Sequence, residues 1–263
     1  LAGEFGWDPI LYGHYGAPRL RPALELLARI HAGSPQQVHD LGTGRGELAR
    51  AMADRWPAAN VTGSDLSAEM LETARQTPSR VRWERFDIRE WSPAGRYDVI
   101  TSNAALHWID GHEQLFPRMV SYLEPGGWLG VQMPLSWHEP SHRLMRDVLA
   151  AGGGDEPFGP ATLRERCARR PVHEADWYYD LLAPATSTID IWETRYVQVL
   201  DGDDPVLAWV SGTALRPILE ALPDPDRGRF LERYRAALRE AYPRRPDGTT
   251  LFPFPRLFIV AVK

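Results

Sequence analysis

An open α/β fold built on a parallel sheet is predicted by three observations. Between Gln37 and Met133, short apolar runs alternate with helical segments at the spacing of βαβ units. The first of these runs ends in His39-Asp40-Leu41-Gly42-Thr43-Gly44-Arg45-Gly46, a glycine turn that opens a helix. An acid, Asp65, closes the next strand 23 residues beyond Gly42, near the ~20 expected of a ribose-binding carboxylate.

Residues 18–31 carry helical apolar spacing at Leu20, Leu24, Leu27 and Ile30. Gln37–Leu41 reads as a strand, and residues 47–56 as a helix closed by Pro57. Asn60–Asp65 is a second strand, after which Ser67 can cap a helix over 67–76. Strands follow at Val81–Phe86 and Tyr97–Ser102, then a helix at His112–Leu123. Pro125-Gly126-Gly127 predicts a turn into a fifth strand, Trp128–Met133. Beyond Met133 the alternation stops. Residues 134–185 are rich in Pro, Gly and aromatics, with helices expected near 140–150 and 174–183. Ser187–Leu200 alternates like a strand, helices are expected near 204–211 and 225–242, and Leu257–Val262 is a continuous apolar run typical of a buried strand. The expected organisation is one domain: an N-terminal lid segment (7–31), a cofactor-binding core (34–133), a cap insert (134–185) and a C-terminal part (186–263) that completes the sheet. The insert and N-terminal helix would cover the carboxyl ends of the strands, where ligands of open α/β sheets bind.

Composition narrows the function. A net charge of −5, from 30 basic and 35 acidic side chains, argues against a nucleic-acid partner, which usually calls for a basic patch. One cysteine, Cys167, supports neither an internal disulfide nor a cysteine-rich zinc site, so no metal is expected and a reducing cytoplasm fits. No apolar run reaches ~18 residues, and no basic-then-apolar leader is evident. Oligomeric state is not encoded in any recognisable pattern.

A glycine turn joins strands to helices in many folds, and Asp and Asn often serve only as turn and cap residues. Here four such signals fall at successive strand ends. Gly42 and Gly44 let the backbone approach a ligand. Asp65 can accept ribose hydroxyls, Asp87-Ile88 stands where an acid could bond an adenine amino group, and Asn103-Ala104 stands at the reacting end. The third glycine, Gly46, comes too early for the dinucleotide fingerprint G-x-G-x-x-G, and no P-loop is present. A nucleoside with an amino-acid tail suits this loop better than a pyrophosphate.

At this point the chain resembles the class I S-adenosylmethionine-dependent methyltransferases, and more specifically the trans-aconitate 2-methyltransferase family. The likeness runs from about Trp7 to Lys263. Among the pieces that carry it are WDPILYGHY (7–15), RLRPALELLARI (19–30), DLGTGRG (40–46), SNAALHWIDGH (102–112), LEPGGWLGVQMP (123–134), WYYDLL (177–182), GTALRP (212–217) and FPRLFIVA (254–261); the glycine motif alone is generic, and YYDLL, LRP and FPRLFIVA are the ones particular to this family. The resemblance implies a Rossmann-like fold, with a seven-stranded, mostly parallel sheet, helices on both faces and a helical, aromatic cap. It implies S-adenosyl-L-methionine as cofactor and methyl transfer to a carboxylate oxygen of a small anionic acid.

Residue by residue, Asp40 matches the acid that opens the cofactor motif, and Gly42, Thr43 and Gly44 the segment around the methionine part. Asp65 and Leu66 match the ribose position, Asp87 and Ile88 the adenine position. Asn103, Ala104 and His107 match the segment facing the methyl group. His107, Tyr178 and Tyr179 are the expected residues of the reacting centre. Arg19, Arg21, Arg216 and Arg256 are candidates for the unreacted carboxylates, because guanidinium pairs bidentately with carboxylate. Tyr12, Tyr15, Trp108 and Trp137 would supply aromatic walls and hydroxyl donors. The chain departs from the family pattern at Thr43 and Arg45, where the family usually has Cys and Pro. It departs again at Leu135-Ser136, in place of Asp-Asn, and at Gln198, in place of His.

Two other readings remain at this stage. One is an enzyme of secondary metabolism that methylates another small molecule or cyclises the amino-acid tail of S-adenosylmethionine, releasing methylthioadenosine. The other is a non-catalytic ligand-binding protein on the same fold.

Overall fold

A computed structural model describes residues 20–154, 156–170, 172–211 and 214–263. Tyr12, Tyr15 and Arg19 lie outside the described residues. The chain divides into two compact units. The first holds the described residues to Pro134, His173–Thr194 and Arg256–Lys263, and the second Leu135–Val172 and Arg195–Pro255.

The strands are β1 (Gln37–Leu41), β2 (Asn60–Asp65), β3 (Arg82–Arg85), β4 (Tyr97–Asn103), β5 (Leu123–Pro134), β6 (Thr188–Leu200) and β7 (Thr250–Val262). They form one sheet in the order β3-β2-β1-β4-β5-β7-β6. Strands β1 to β5 pair in parallel, and β7 runs antiparallel to β5. Strand order reverses between β1 and β4, so chain connections diverge there and open a crevice at the carboxyl ends. The fold expected from the sequence is therefore the one formed.

Helices α1 (Arg21–Ala28), α2 (Glu47–Arg55) and α3 (Ala68–Gln76) follow the predicted periodicity. Ser67 caps α3 by accepting from the Met70 N–H at 3.2 Å. Of the expected lid segment, 7–31, only residues from Leu20 onward are described. Helix α1 buries Pro22, Ala23, Leu24, Leu26 and Leu27. Its C-terminal flank sits so close to β5 that a Cβ on Gly130 would come within 2.7 Å of Ile30 Cδ1. Helices α4 (His112–Ser121) and α7 (Ala175–Leu182) also belong to this unit; Phe116 of α4 packs on Tyr178 of α7 at 4.9 Å between ring centroids.

Two strands are longer than their sequence patterns suggest. The Pro125-Gly126-Gly127 turn is absorbed into β5, because Gly126 takes a φ of 77° and its N–H bonds the Lys263 carbonyl at 2.9 Å. The register against β4 slips there, as in a bulge. Strand β7 begins at Thr250, although Pro253 and Pro255 read as strand breakers; the Pro255 carbonyl still accepts, from Leu135 N–H at 2.9 Å.

The second unit is helical: α5 (Pro140–Ala151), α6 (Ala161–Ala168), α8 (Pro205–Ser211), α9 (Arg216–Ala221) and α10 (Asp224–Ala241). Phe230, Tyr234 and Leu238, one stripe of α10, bury into a core with Met145, Leu149 and Phe158. The first turn of α5 has backbone donors without helical partners. Tyr242 Oη accepts from the Ser141 N–H at 3.0 Å, and Tyr234 Oη donates to the Ser141 carbonyl at 2.8 Å. Helices α6 and α9 were not evident in the sequence, since each is short and buries few side chains of its own.

Candidate active site

The first unit collects the four strand-end signals on one edge of the sheet. Gly42 leaves β1 with φ 71°, and a Cβ there would lie 2.3 Å from Ala105 Cβ and 3.5 Å from Ile88 Cδ1. The turn after β1 is thus packed against the segments that follow β3 and β4. Gly44, at φ 57°, has nothing within 4 Å of where a Cβ would point. That is the open floor a ligand needs.

Asp65 braces this loop from β2. Its Oδ2 accepts from the Gly44 N–H at 2.9 Å and its Oδ1 from the Ser67 N–H at 2.8 Å. Thr43 N–H donates to the Ser64 carbonyl at 2.8 Å. Asp40 is buried beneath the turn and accepts from the Thr43 hydroxyl at 2.6 Å and the Thr101 hydroxyl at 2.9 Å. This gives Thr43, one of the departures from the family pattern, a local task. Burial pushes the Asp40 carboxyl up to about 7; the two hydroxyl bonds oppose the shift, and the charges of Asp65 and Glu47 add to it.

Asp87 caps the 3-10 turn Ile88–Glu90, accepting from the Arg89 N–H at 2.9 Å. The Arg89 guanidinium holds the same carboxylate at 2.5–3.0 Å and, with the backbone bond, keeps it below the usual carboxylate range. Ile88 is buried, whereas Leu66 exposes more than half its surface after β2. An exposed leucine beside a strand-end acid is suited to cover a flat heteroaromatic ring.

At the end of β4, Asn103 Oδ1 is buried with no hydrogen-bond partner. Ala104 takes φ 54°, a conformation rare for a residue with a Cβ, and its N–H bonds the Gln132 carbonyl at 2.9 Å. The 3-10 turn Leu106–Trp108 follows, with the His107 and Trp108 rings tilted at 4.7 Å and Trp108 58% exposed. His112 anchors this turn by donating from Nε2 to the Leu106 carbonyl at 3.0 Å, while its Nδ1 meets the Tyr178 hydroxyl at 2.6 Å.

The remaining expected site residues fall in both units. Tyr178 is fully buried; its hydroxyl meets His112 Nδ1 at 2.6 Å and accepts from the His173 N–H at 3.4 Å. Tyr179, its neighbour on α7, is 54% exposed. Arg21 pairs with Glu25 at 2.8 Å on α1. Arg256, on β7, is buried and donates to Gln132 Oε1 at 2.9 Å. In the second unit, Trp137 carries the Arg146 guanidinium 3.7 Å over its ring, and Arg216 pairs with Glu220 at 2.7 Å on an exposed face. A cavity of ≈ 290 Å³ in that unit is walled by Glu139, Arg195, Tyr242 and Arg245, none of them expected from the sequence. Sequence reasoning missed Gln132 and His112. The signal for Gln132 was present: a lone carboxamide inside the apolar run 128–133. Among the described residues, no helix is long and apolar enough to cross a membrane, and no cluster of three His, Cys, Asp or Glu could hold a metal.

Two measurements test this local account. Tyr178→Phe leaves a buried imidazole nitrogen without its partner, at a cost of about 1–3 kcal/mol. The thermal midpoint should fall by several degrees, and an unchanged midpoint would remove the bond from the account. The second concerns pH. His39, on β1, is buried among Phe86, Trp91 and Tyr97, and burial pulls it to about 3. Burial, aided by Arg146, pulls His142 to about 4. Between about pH 4 and 6.5 the unfolded chain carries protons on both histidines that the native chain lacks, and lacks the proton that native Asp40 keeps. The unfolded state holds one more proton net, so stability rises with pH by about 1.4 kcal/mol per unit. His112, also held low by burial, adds in the same direction. Urea midpoints should be higher at pH 6.5 than at pH 5, and Asp40→Asn should steepen the difference.

The seven-stranded sheet, parallel through β5 with β7 antiparallel to it, and the glycine turn at its carboxyl edge are those of a class I S-adenosylmethionine-dependent methyltransferase. Residues 38–127 match the family described as a methyltransferase domain. A putative methyltransferase from Bacillus halodurans superposes with TM-score 0.58 at 14% identity, over 92% of this chain and 99% of its own. A Haemonchus contortus phosphoethanolamine N-methyltransferase 2 in complex with S-adenosyl-L-methionine superposes with TM-score 0.53 at 18% identity, over 97% and 56%. These likenesses show the fold. In sequence, the trans-aconitate 2-methyltransferase of Azoarcus sp. is 44% identical over 98% of this chain and 99% of its own. That of Pseudomonas aeruginosa PAO1 is 45% identical over 98% and 94%, and that of an Escherichia coli strain 42% over 97% and 97%. The chain belongs to the trans-aconitate 2-methyltransferase family. It is an enzyme that uses S-adenosylmethionine.

Proposed function

We propose that this enzyme transfers the methyl group of S-adenosylmethionine to a carboxylate oxygen of trans-aconitate. The observation that carries the reading is end-to-end similarity to relatives named for that reaction, at 42–45% identity. A buried arginine at the carboxyl edge of the sheet, Arg256, supplies the charge that a polycarboxylate needs. The sulfonium, when bound, supplies an activated methyl group. Everything else falls to the protein. Gly42, Thr43 and Gly44 give the floor, Asp65 the acceptor for ribose hydroxyls, Asp87 and Ile88 the adenine end, and Leu66 a cover. Asn103 and Ala104 border the reacting end, with His107 and Trp108 as walls.

An acceptor carboxylate is ionised and nucleophilic at neutral pH, so no general base is required. The catalytic task is alignment of oxygen, methyl carbon and sulfur, an effect worth up to ~7–11 kcal/mol. Exclusion of water adds to it. Tyr178 takes no part in this scheme except through His112, which fixes the Leu106–Trp108 turn.

The test is to incubate the pure protein with S-adenosylmethionine, with and without trans-aconitate, and identify both products by mass spectrometry. The expected result is S-adenosylhomocysteine and a monomethyl ester, each dependent on the acid. Methylthioadenosine formed without an acceptor would replace methyl transfer by cyclisation of the cofactor. Neither product with any polycarboxylate would refute the acceptor class.

A further inference from the structure

Gln132 is fully buried in the apolar centre of β5. A carboxamide at such a position is costly unless its polar atoms are used. Its oxygen is used: Oε1 accepts from Arg256 Nη1 at 2.9 Å. A guanidinium can only donate, so the oxygen must face Arg256 and the amide nitrogen must face away. That nitrogen, Nε2, is buried and meets no acceptor.

The place of this donor matters as much as its lack of a partner. Gln132 is the register partner of Asn103, and Arg256 is the register partner of Pro134, two residues on from Gln132. Strand alternation therefore puts Asn103, Gln132 and Arg256 on one face of the sheet at its carboxyl edge. Asp40 and Thr101, also register partners, precede them on the same face. The face carries the Asp40–Thr43 brace of the glycine turn at one end and a buried cation at the other. Between them stand a buried acceptor, Asn103 Oδ1, and a buried donor, Gln132 Nε2, neither with a partner.

We propose that Gln132 recognises the acceptor: its Nε2 hydrogens bond a carboxylate that is not methylated, while its Oε1 holds the Arg256 guanidinium against the same group. The inference rests on the carboxylic-acid acceptor proposed above. An amide N–H needs an oxygen acceptor, and beside a guanidinium a carboxylate oxygen is the fitting one. Gln132 acts both as a ligand to the substrate and as the positioning residue for Arg256.

Gln132→Glu and Gln132→Met separate this role from a structural one. Glutamate keeps an acceptor for Arg256 but neutralises it and removes the donor. Methionine keeps the volume and removes both polar atoms. With saturating S-adenosylmethionine, KM for trans-aconitate should rise at least about tenfold in both variants, the scale of one lost charge-assisted hydrogen bond. Affinity for S-adenosylhomocysteine, measured by calorimetry, should stay within about twofold. A purely structural glutamine predicts wild-type KM in Gln132→Glu. Wild-type KM in both variants would overturn the assignment and leave the acceptor reading intact. Loss of S-adenosylhomocysteine affinity in both would assign Gln132 to the fold and also overturn it. A wild-type protein that methylates no polycarboxylate removes the acceptor reading, and the subsite with it.

Discussion

Asp65→Ala should weaken cofactor binding by about two to three orders of magnitude, since each hydrogen bond to a charged group contributes ~1.5–3 kcal/mol. The effect is compound. The carboxylate accepts from the Gly44 and Ser67 N–H groups, so it holds the glycine turn and the start of α3 in place before any ligand arrives. In the proposed site its remaining lone pairs are the ones that would accept ribose hydroxyls. Alanine would release two backbone donors and remove the ribose acceptor together. Asp65→Asn should fall between: its oxygen can serve one backbone N–H, but its amide group would confront the other, donor to donor. Calorimetric titration with S-adenosylhomocysteine measures both variants. Wild-type affinity in Asp65→Ala would remove Asp65 from the site.

Gly42→Ala should abolish cofactor binding and destabilise the protein as well. At φ 71° an alanine costs about 1–2 kcal/mol for the backbone alone. Its Cβ would meet Ala105 Cβ at 2.3 Å, an overpacking penalty of a further ~1–3 kcal/mol. The neighbour has little freedom to yield, because Ala104 already sits at φ 54° and is tied by its N–H to the β5 backbone. Gly44→Ala is the informative contrast. Nothing lies within 4 Å of its new methyl group, so the fold pays only the backbone cost. That methyl would instead stand in the space that the proposed site gives to the cofactor. Gly42→Ala should therefore lower the thermal midpoint well beyond Gly44→Ala, and both should lose cofactor affinity. Equal midpoints would mean that the turn is not wedged against the β4 loop.

Much of the proposed cofactor side is legible in the chain because its logic is local. A strand must end before a glycine turn, and an acid must follow the next strand; both leave marks within a few residues of each other. The predicted bounds of β1 and β2 coincide with the observed ones for this reason. The acceptor side was less legible. Four arginines looked alike in the sequence, yet of those described, Arg21 and Arg216 pair with acids one helical turn away, and Arg256 alone is buried. Tyr178 and Tyr179 read as a pair, but consecutive residues on a helix point about 100° apart. One became core and the other surface.

The sequence by itself determined the α/β alternation, the glycine turn, the strand-end acids and the family, since each is written in residues close together along the chain. Only the tertiary structure decided that α1 is a layer of the core, that Tyr178 answers to His112, and that Gln132 and Arg256 meet across 124 residues. Those contacts depend on strand order and register, and register is set by the packing of the whole sheet, which no local pattern records.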